Sequence, residues 1–306
     1  MRVLVIGGNG FIGSSLVEKL RDSGHGVRVL DPGPPRADMD WTDVDYRLGS
    51  LSDTRVLTEA AEEMGCVFHL ASSTVPGTSN QDPVADVESN LVGTLRLVQA
   101  MGHASVRRLV FFSSGGTVYG HPQQLPVPET HPLQPISSYG VVKVAIEKYL
   151  MMYHRLGVLD PLVLRPSNPY GPRQSTSGVQ GAIGAFLGRA MVDDGVKIWG
   201  DGETVRDYIY VDDLVDFAAG AGLSGDCGIY NAGSGMGCSL NGLCELIREI
   251  TDRSMPAQYL PSRDFDVSRI VLDISAASSR FGWVPKTSLP VGIARTWQAL
   301  QSRQFS

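Results

Sequence analysis

The chain has 306 residues, 42% of them hydrophobic and 19% charged, and carries a formal net charge of −6. At about 150 residues per domain this is one large or two moderate domains, long enough to bury a core without metal or disulfide staples. The acidic balance excludes a basic nucleic-acid-binding surface, and no run of about 18 apolar residues offers a membrane span. Glycine is in excess, 35 of 306 residues or about 11% against a usual 7%. With no Gly-X-Y period, those glycines belong where backbone turns tightly or approaches a ligand.

The first strand, Arg2–Ile6, runs straight into glycines rather than a long apolar stretch with a cleavage site, so a cytoplasmic location is expected. Cys66, Cys227, Cys238 and Cys244 lack paired C-x-x-C spacing and read as reduced thiols. Gly7-Gly8-Asn9-Gly10-Phe11-Ile12-Gly13 follows that strand and opens a helix over Ile12–Ser23. Glycines spaced this way permit a tight turn and close approach to a pyrophosphate, which the helix N-terminus attracts. The second strand, Val27–Leu30, ends at Asp31, placed to bind an adenosine ribose and repel a 2′-phosphate, which favours NAD over NADP. The competing view makes Asp31 a turn residue before Pro32, and Arg36 nearby complicates the choice.

Helix Thr54–Glu63, strand Cys66–Leu70, helix Val84–Met101, strand Arg108–Phe112, helix Ser138–Leu156 and strand Pro161–Leu164 continue the alternation. Apolar strands alternating with helices predict an α/β fold, a Rossmann-type doubly wound parallel sheet over residues 1–165. After Arg165 the chain is broken by Pro166, Pro169 and Pro172. Helices are expected over Gly184–Asp193, Leu240–Thr251 and Pro290–Ser302. Residues 166–306 read as a smaller, discontinuous α/β substrate domain, with a return to the first domain near residues 205–225.

Tyr139 and Lys143 stand four apart at the start of a helix, on one face. A cation beside a phenol stabilises phenolate and should lower its pKa from near 10 toward neutrality, making a base for a sugar hydroxyl. Upstream, the strand Leu109–Phe112 ends in Ser113-Ser114-Gly115-Gly116-Thr117-Val118-Tyr119-Gly120, and residues at the carboxyl end of a parallel strand face the ligand crevice.

These residues together resemble the extended short-chain dehydrogenase/reductases, in the NAD-dependent epimerase/dehydratase family, and most resemble its UDP-hexose 4-epimerases. The resemblance runs from Arg2 to about Trp297. It includes His69-Leu70-Ala71, Asn90 in Asn90-Leu91-Val92-Gly93-Thr94, Leu164-Arg165-Pro166-Ser167-Asn168-Pro169-Tyr170-Gly171, and Gly200-Asp201-Gly202-Glu203-Thr204-Val205-Arg206-Asp207-Tyr208-Ile209. It implies NAD held by Gly7, Gly10, Phe11, Ile12, Gly13, Asp31, Leu51, Leu70, Ala71, Asn90, Ser113, Tyr139 and Lys143. It implies a UDP-sugar held by Asn168, Tyr170, Arg206, Arg263 and Ile270, no metal, and a homodimer formed through Val84–Met101 and Ser138–Leu156. The alternative for the arginines is simple pairing with neighbouring Asp207 and Asp264.

Two departures bear on the chemistry. Where the family commonly carries Ser or Thr, this chain has Gly115, leaving Thr117, or second Ser114, to orient the reacting oxygen. Gly116-Thr117 stands where dehydratases of the group carry Asp-Glu, which disfavours elimination of water. The expected reaction is therefore NAD-dependent epimerisation at C4 of a UDP-hexose through a 4-keto intermediate, in polysaccharide biosynthesis. The resemblance puts Ile270 where bulky Tyr narrows the sugar pocket in plain-hexose enzymes, leaving space for a 2-acetamido group. A reductase, a dehydratase, a UDP-glucuronate 4-epimerase or a non-catalytic NAD-binding protein are the alternatives.

Overall fold

The computed structural model describes residues 1–177, 181–262 and 267–304, and the chain divides into two compact units. The first comprises Met1–Val118, Pro135–Arg165 and Val215–Tyr230. The second comprises Tyr119–Gln134, Pro166–Leu214 and Asn231–Ser306. Residues 119–134, which the sequence reading kept with the first domain, thus belong to the second unit. Among the described residues no helix is long and apolar enough to cross a membrane.

A seven-stranded sheet organises the first unit, in the order β10-β6-β5-β4-β1-β2-β3. The strands are β1 (Arg2–Ile6), β2 (Gly26–Asp31), β3 (Val44–Leu48), β4 (Cys66–His69), β5 (Arg108–Phe112), β6 (Asp160–Pro166) and β10 (Gly228–Ala232). From β3 to β6 every neighbouring pair is parallel. The 3-2-1-4-5-6 order is that of dinucleotide-binding folds, whose ligands lie beyond the carboxyl ends of the strands. Val3, Leu4, Val5 and Ile6 are all buried, as a strand covered on both faces requires. The sequence reading missed β3 because it is an edge strand whose residues are half-buried or exposed, so no apolar run marks it.

The flanking helices are α1 (Phe11–Asp22), α2 (Thr54–Ala61), α3 (Pro83–Asp86), α4 (Gly93–His103) and α5 (Ser138–Arg155). A π-helical stretch, Val87–Val92, joins α3 to α4. Such widened turns recur at functional sites. α5 carries two neighbouring stripes at four-residue spacing. Val142, Ile146 and Leu150 enter the apolar core with Leu97, Leu109 and Phe111. One residue over lie Tyr139, Lys143 and Glu147.

α7 (Val211–Leu223) runs from the second unit into the first, and the second unit is otherwise built from shorter pieces: β7 (Asn168–Tyr170), α6 (Ala182–Ala190), β8 (Val196–Trp199), β9 (Val205–Tyr210), β11 (Gly237–Ser239), α8 (Leu240–Thr251), β12 (Ala257–Leu260), β13 (Arg269–Ile270), α9 (Ser275–Phe281) and α10 (Leu289–Gln304). β9 pairs with β7, β11 and β13, and β8 pairs with β12. Ile183, Leu187, Ile198, Leu243, Ile247 and Ile293 are among its core residues.

Candidate active site

At the end of β1 the backbone turns through Gly7 with φ +82, and a Cβ there would lie 2.8 Å from the Ala71 nitrogen. A Cβ on Gly13 would lie 2.0 Å from the Gly7 oxygen, so only glycine lets α1 start this close to the turn. Gly10 caps α1 with extended backbone and no side-chain acceptor, leaving the first-turn amides of Phe11, Ile12 and Gly13 to a ligand or solvent. Asp31 accepts the Asn9 amide at 3.1 Å and the Gly33 amide at 3.0 Å, which fixes its carboxylate at the end of β2.

These residues open onto a cavity of about 500 Å³. Gly7, Gly10, Asp31, Leu51, Leu70, Ala71 and Asn90 lie on its wall, whereas Phe11, Ile12, Gly13, Ser113, Tyr139 and Lys143 do not. Sequence reasoning missed Asn9, Ser50, Ser52, Glu88 and Arg96, which also line it. The Asn9 side chain donates to the Pro34 oxygen and accepts the Arg36 amide, so it shapes the turn beyond Asp31. Arg36 is held by Asp38 and reaches Ser14 at 3.4 Å, so it is not among the cavity-lining residues. A tight glycine turn, an open helix N-terminus and an anchored carboxylate fit an adenine dinucleotide with a free 2′-hydroxyl. Asn90 plays a different part from direct donation to a ligand. Its oxygen accepts the Ser73 amide, and its amide group donates to Ser73, Thr74 and Asp86, which shapes the loop after β4.

The start of α5 is tied down residue by residue. Ser137 caps it by accepting the Gly140 amide at 3.3 Å. Ser79 and Asn80 accept the Tyr139 and Ser138 amides. Gly140 is required because a Cβ there would come within 2.9 Å of the Thr117 oxygen. Burial pushes the Tyr139 phenol up to about 12; a hydrogen bond with the Ser114 side chain opposes this and the Asp86 charge adds to it. Burial is the largest influence on the phenol, and it acts against the fall toward neutrality expected from Lys143. Lys143 is buried, donates to the Phe112 oxygen at 2.9 Å, and stands 4.7 Å from the Phe111 ring centre and 5.4 Å from that of Tyr139. Burial lowers its pKa to about 8, against the opposing charges of Glu147 and Asp86.

Of the two candidate hydroxyls, that of Ser114 is the one that acts on the ionisation of the phenol, and it opposes the effect of burial. The Thr117 hydroxyl is buried and makes no hydrogen bond among the described residues. Ser113 is corrected more sharply: its hydroxyl is given to Glu147, which also takes a two-pronged pair from Arg165 at 3.0 and 2.6 Å. That donation uses the hydroxyl's one proton, so the side chain could meet a cofactor only as an acceptor. His69, at the end of β4, bonds Thr94 at 2.9 Å, and burial together with the Lys143 charge lowers its pKa to about 3, so it stays neutral.

In the second unit Asn168 donates to the Asp207 oxygen at 3.0 Å, and Ile270 faces Arg206 in the parallel register of β13 and β9. Asp207 does not serve as a simple partner for Arg206. Its buried carboxylate accepts from the Ser234 amide and hydroxyl and from the Gly235 and Leu272 amides. Burial raises its pKa against those bonds. Ile270 is 1% exposed, enclosed rather than opening onto a wide pocket. Tyr170 is a core residue instead of a ligand: it is 1% exposed, packs edge-on against Tyr210, and reaches the Leu289 oxygen at 3.4 Å. Its β7 position and its aromatic ring match the second unit's core better than a polar site. Arg263 and Asp264 lie outside the described residues.

The model of the NAD dependent epimerase/dehydratase family matches residues 3–233. The chain is 38% identical to the UDP-glucose 4-epimerase of Mycolicibacterium smegmatis, over 99% of both chains. It is similar in fold to the Thermotoga maritima UDP-glucose 4-epimerase solved with UDP-glucose, with a TM-score of 0.95 and 36% identity over 99% of this chain and 100% of that one. The Thermus thermophilus UDP-glucose 4-epimerase, solved with NAD, gives a TM-score of 0.92 and 35% identity over 98% of this chain and 99% of that one.

Proposed function

The chain belongs to the NAD dependent epimerase/dehydratase family, and within it we propose that it inverts C4 of a UDP-linked hexose through a 4-keto sugar. The observation that carries this reading is the Tyr139 phenol one helical turn from the buried Lys143, which is fixed on the Phe112 oxygen and stands 5.4 Å from the phenol ring centre. The chemistry NAD supplies when bound is reversible acceptance of hydride from C4. Gly7, Gly10, Asp31, Leu51, Leu70 and Ala71 would hold it, in the first unit.

Tyr139 takes the proton from O4 and later returns it, while Ser114 keeps the phenol oriented. Lys143 is fixed on the Phe112 oxygen, so its charge stays beside the phenol as the proton moves. Thr117 offers the substrate oxygen a hydroxyl that no protein group takes among the described residues. Asn168 and Arg206 would bind the diphosphate, since an amide and a guanidinium suit a doubly charged group. The absence of a carboxylate at Gly116-Thr117 argues against water loss. Residues 1–165 with their return are read as the cofactor domain, and the remainder as the sugar-nucleotide domain.

UDP-glucose/UDP-galactose and UDP-GlcNAc/UDP-GalNAc are the substrate pairs proposed. Incubation with each sugar nucleotide and chromatographic separation of epimers tests both points. The C4 epimer of at least one is expected, and its failure to form from either refutes the reading. Tyr139→Phe should lower turnover by about 10²–10⁴-fold, the usual worth of a positioned acid or base. We further propose a homodimer, supported by exposed Val84, Val141, Tyr149 and Met152 on adjacent helices. The α5 residues Val142, Ile146 and Leu150 take no part in it, because they are core. The four cysteines are free thiols, which suits a reducing cytoplasm and a role in polysaccharide precursor supply.

A further inference from the structure

The last residue of α3, Asp86, has no exposed surface at all. Its carboxylate accepts Thr74 Oγ1 at 2.7 Å, Asn90 Nδ2 at 2.8 Å and Ser138 Oγ at 2.7 Å. All three donors are neutral, and they engage both carboxylate oxygens, so the buried negative charge has no cation beside it to offset its cost. Among the described residues Asp86 forms no ion pair, so the charge answers to something beyond these bonds. Ser138 is the first residue of α5, and an anion at a helix N-terminus is favourable. The residue after Ser138 is Tyr139, with Lys143 one helical turn further on.

We propose that Asp86 is a positioning residue for the Tyr139–Lys143 pair, tying the first turn of α5 through Ser138 and supplying a buried negative charge that favours the protonated form of both groups. This rests on the epimerase reading of the same site. The ionisable groups around the pair are few. From α5 come Tyr139, Lys143 and Glu147; from β4 comes His69, held neutral on Thr94; from β6 comes Arg165, committed to Glu147. The Asp86 charge holds the proton on Lys143 and also on Tyr139. Losing the charge therefore moves both ionisations in the same direction, down. Asp86 and Asn90 are four residues apart, a spacing that places both on one helical face and that the sequence alone could have flagged.

Asp86→Asn removes the charge at nearly unchanged shape, keeping one acceptor oxygen and turning the other position into a donor. Both limbs of its kcat–pH profile should move to lower pH, the direction expected for loss of a negative charge. Asp86→Ser, smaller and also neutral, should move them likewise, and Asp86→Glu should leave them in place. A second readout needs no turnover: tyrosinate absorbance, taken as the difference between each protein and its Tyr139→Phe counterpart. Its onset should fall to lower pH in Asp86→Asn. A uniform loss of rate with unmoved limbs and an unmoved onset overturns the proposal and leaves Asp86 a merely structural residue. If no UDP-hexose is turned over, the epimerase reading fails while the absorbance still decides the role of Asp86.

Discussion

Lys143→Met should expose what the site costs the fold. Lys143 is 4% exposed, and burial takes its pKa from an ordinary 10.5 to about 8. A folded pKa below the unfolded one means the unfolded chain binds the proton more tightly, so stability rises with pH between those two values. The cost is fully present below pH 8 and gone above about 10.5. At 1.36 kcal/mol per pH unit it amounts to about 3 kcal/mol, offset in the variant by the donor lost from the Phe112 oxygen, at about 1–3 kcal/mol. That lost bond is the same at every pH, so the difference between variant and parent is the clean observable. Urea unfolding of both proteins from pH 7 to 10.5 should show the variant's relative stability falling by about 3 kcal/mol, with activity absent throughout. A difference that stays flat across that range would refute the buried-ammonium account.

Asp31→Ala removes the acceptor for a ribose and the anchor for Asn9 and Gly33; the Kd for NAD measured by titration should rise about 10- to 100-fold, from charged hydrogen bonds of about 1.5–3 kcal/mol, while that for NADP changes less. Equal losses for both cofactors would place the ribose elsewhere. Glu147→Leu strands the buried Arg165 and should cost about 3–5 kcal/mol in urea unfolding. Glu147→Leu with Arg165→Met should cost less than either single change, and an additive double variant would show that the pair is not the unit that matters.

The parallel sheet was legible because its central strands are short apolar runs separated by helical-period segments, and the glycine turn is marked by spacing alone. Asp31 was legible because a carboxylate at the end of the second strand has few other uses. What was hidden depends on which way a side chain turns. Ser113 and Ser114 are adjacent and chemically identical, yet the strand pleat sends one to Glu147 and the other to Tyr139. Tyr170 sits in a motif full of ligand residues, but its ring belongs to the second unit's core. Its short strands were missed because two to six residues among prolines and glycines give no periodicity to count.

The two stripes of α5 explain how a costly site is tolerated. Val142, Ile146 and Leu150 bury fully on one side, at about 1.5–3 kcal/mol per side chain. Beside them Tyr139, Lys143 and Glu147 carry polar groups into the same interior, where each must be satisfied. Glu147 has Ser113 and Arg165, Lys143 has the Phe112 oxygen, and Tyr139 has Ser114. Each partner except Arg165 lies at the carboxyl end of β5, in the segment Phe112-Ser113-Ser114. The apolar stripe holds the helix against the sheet, and that docking brings the polar stripe to one strand end at a spacing set by the helical turn. Loss of a methylene from the apolar stripe should therefore disturb catalysis as well as stability, because Tyr139 and Lys143 depend on the same helix being seated.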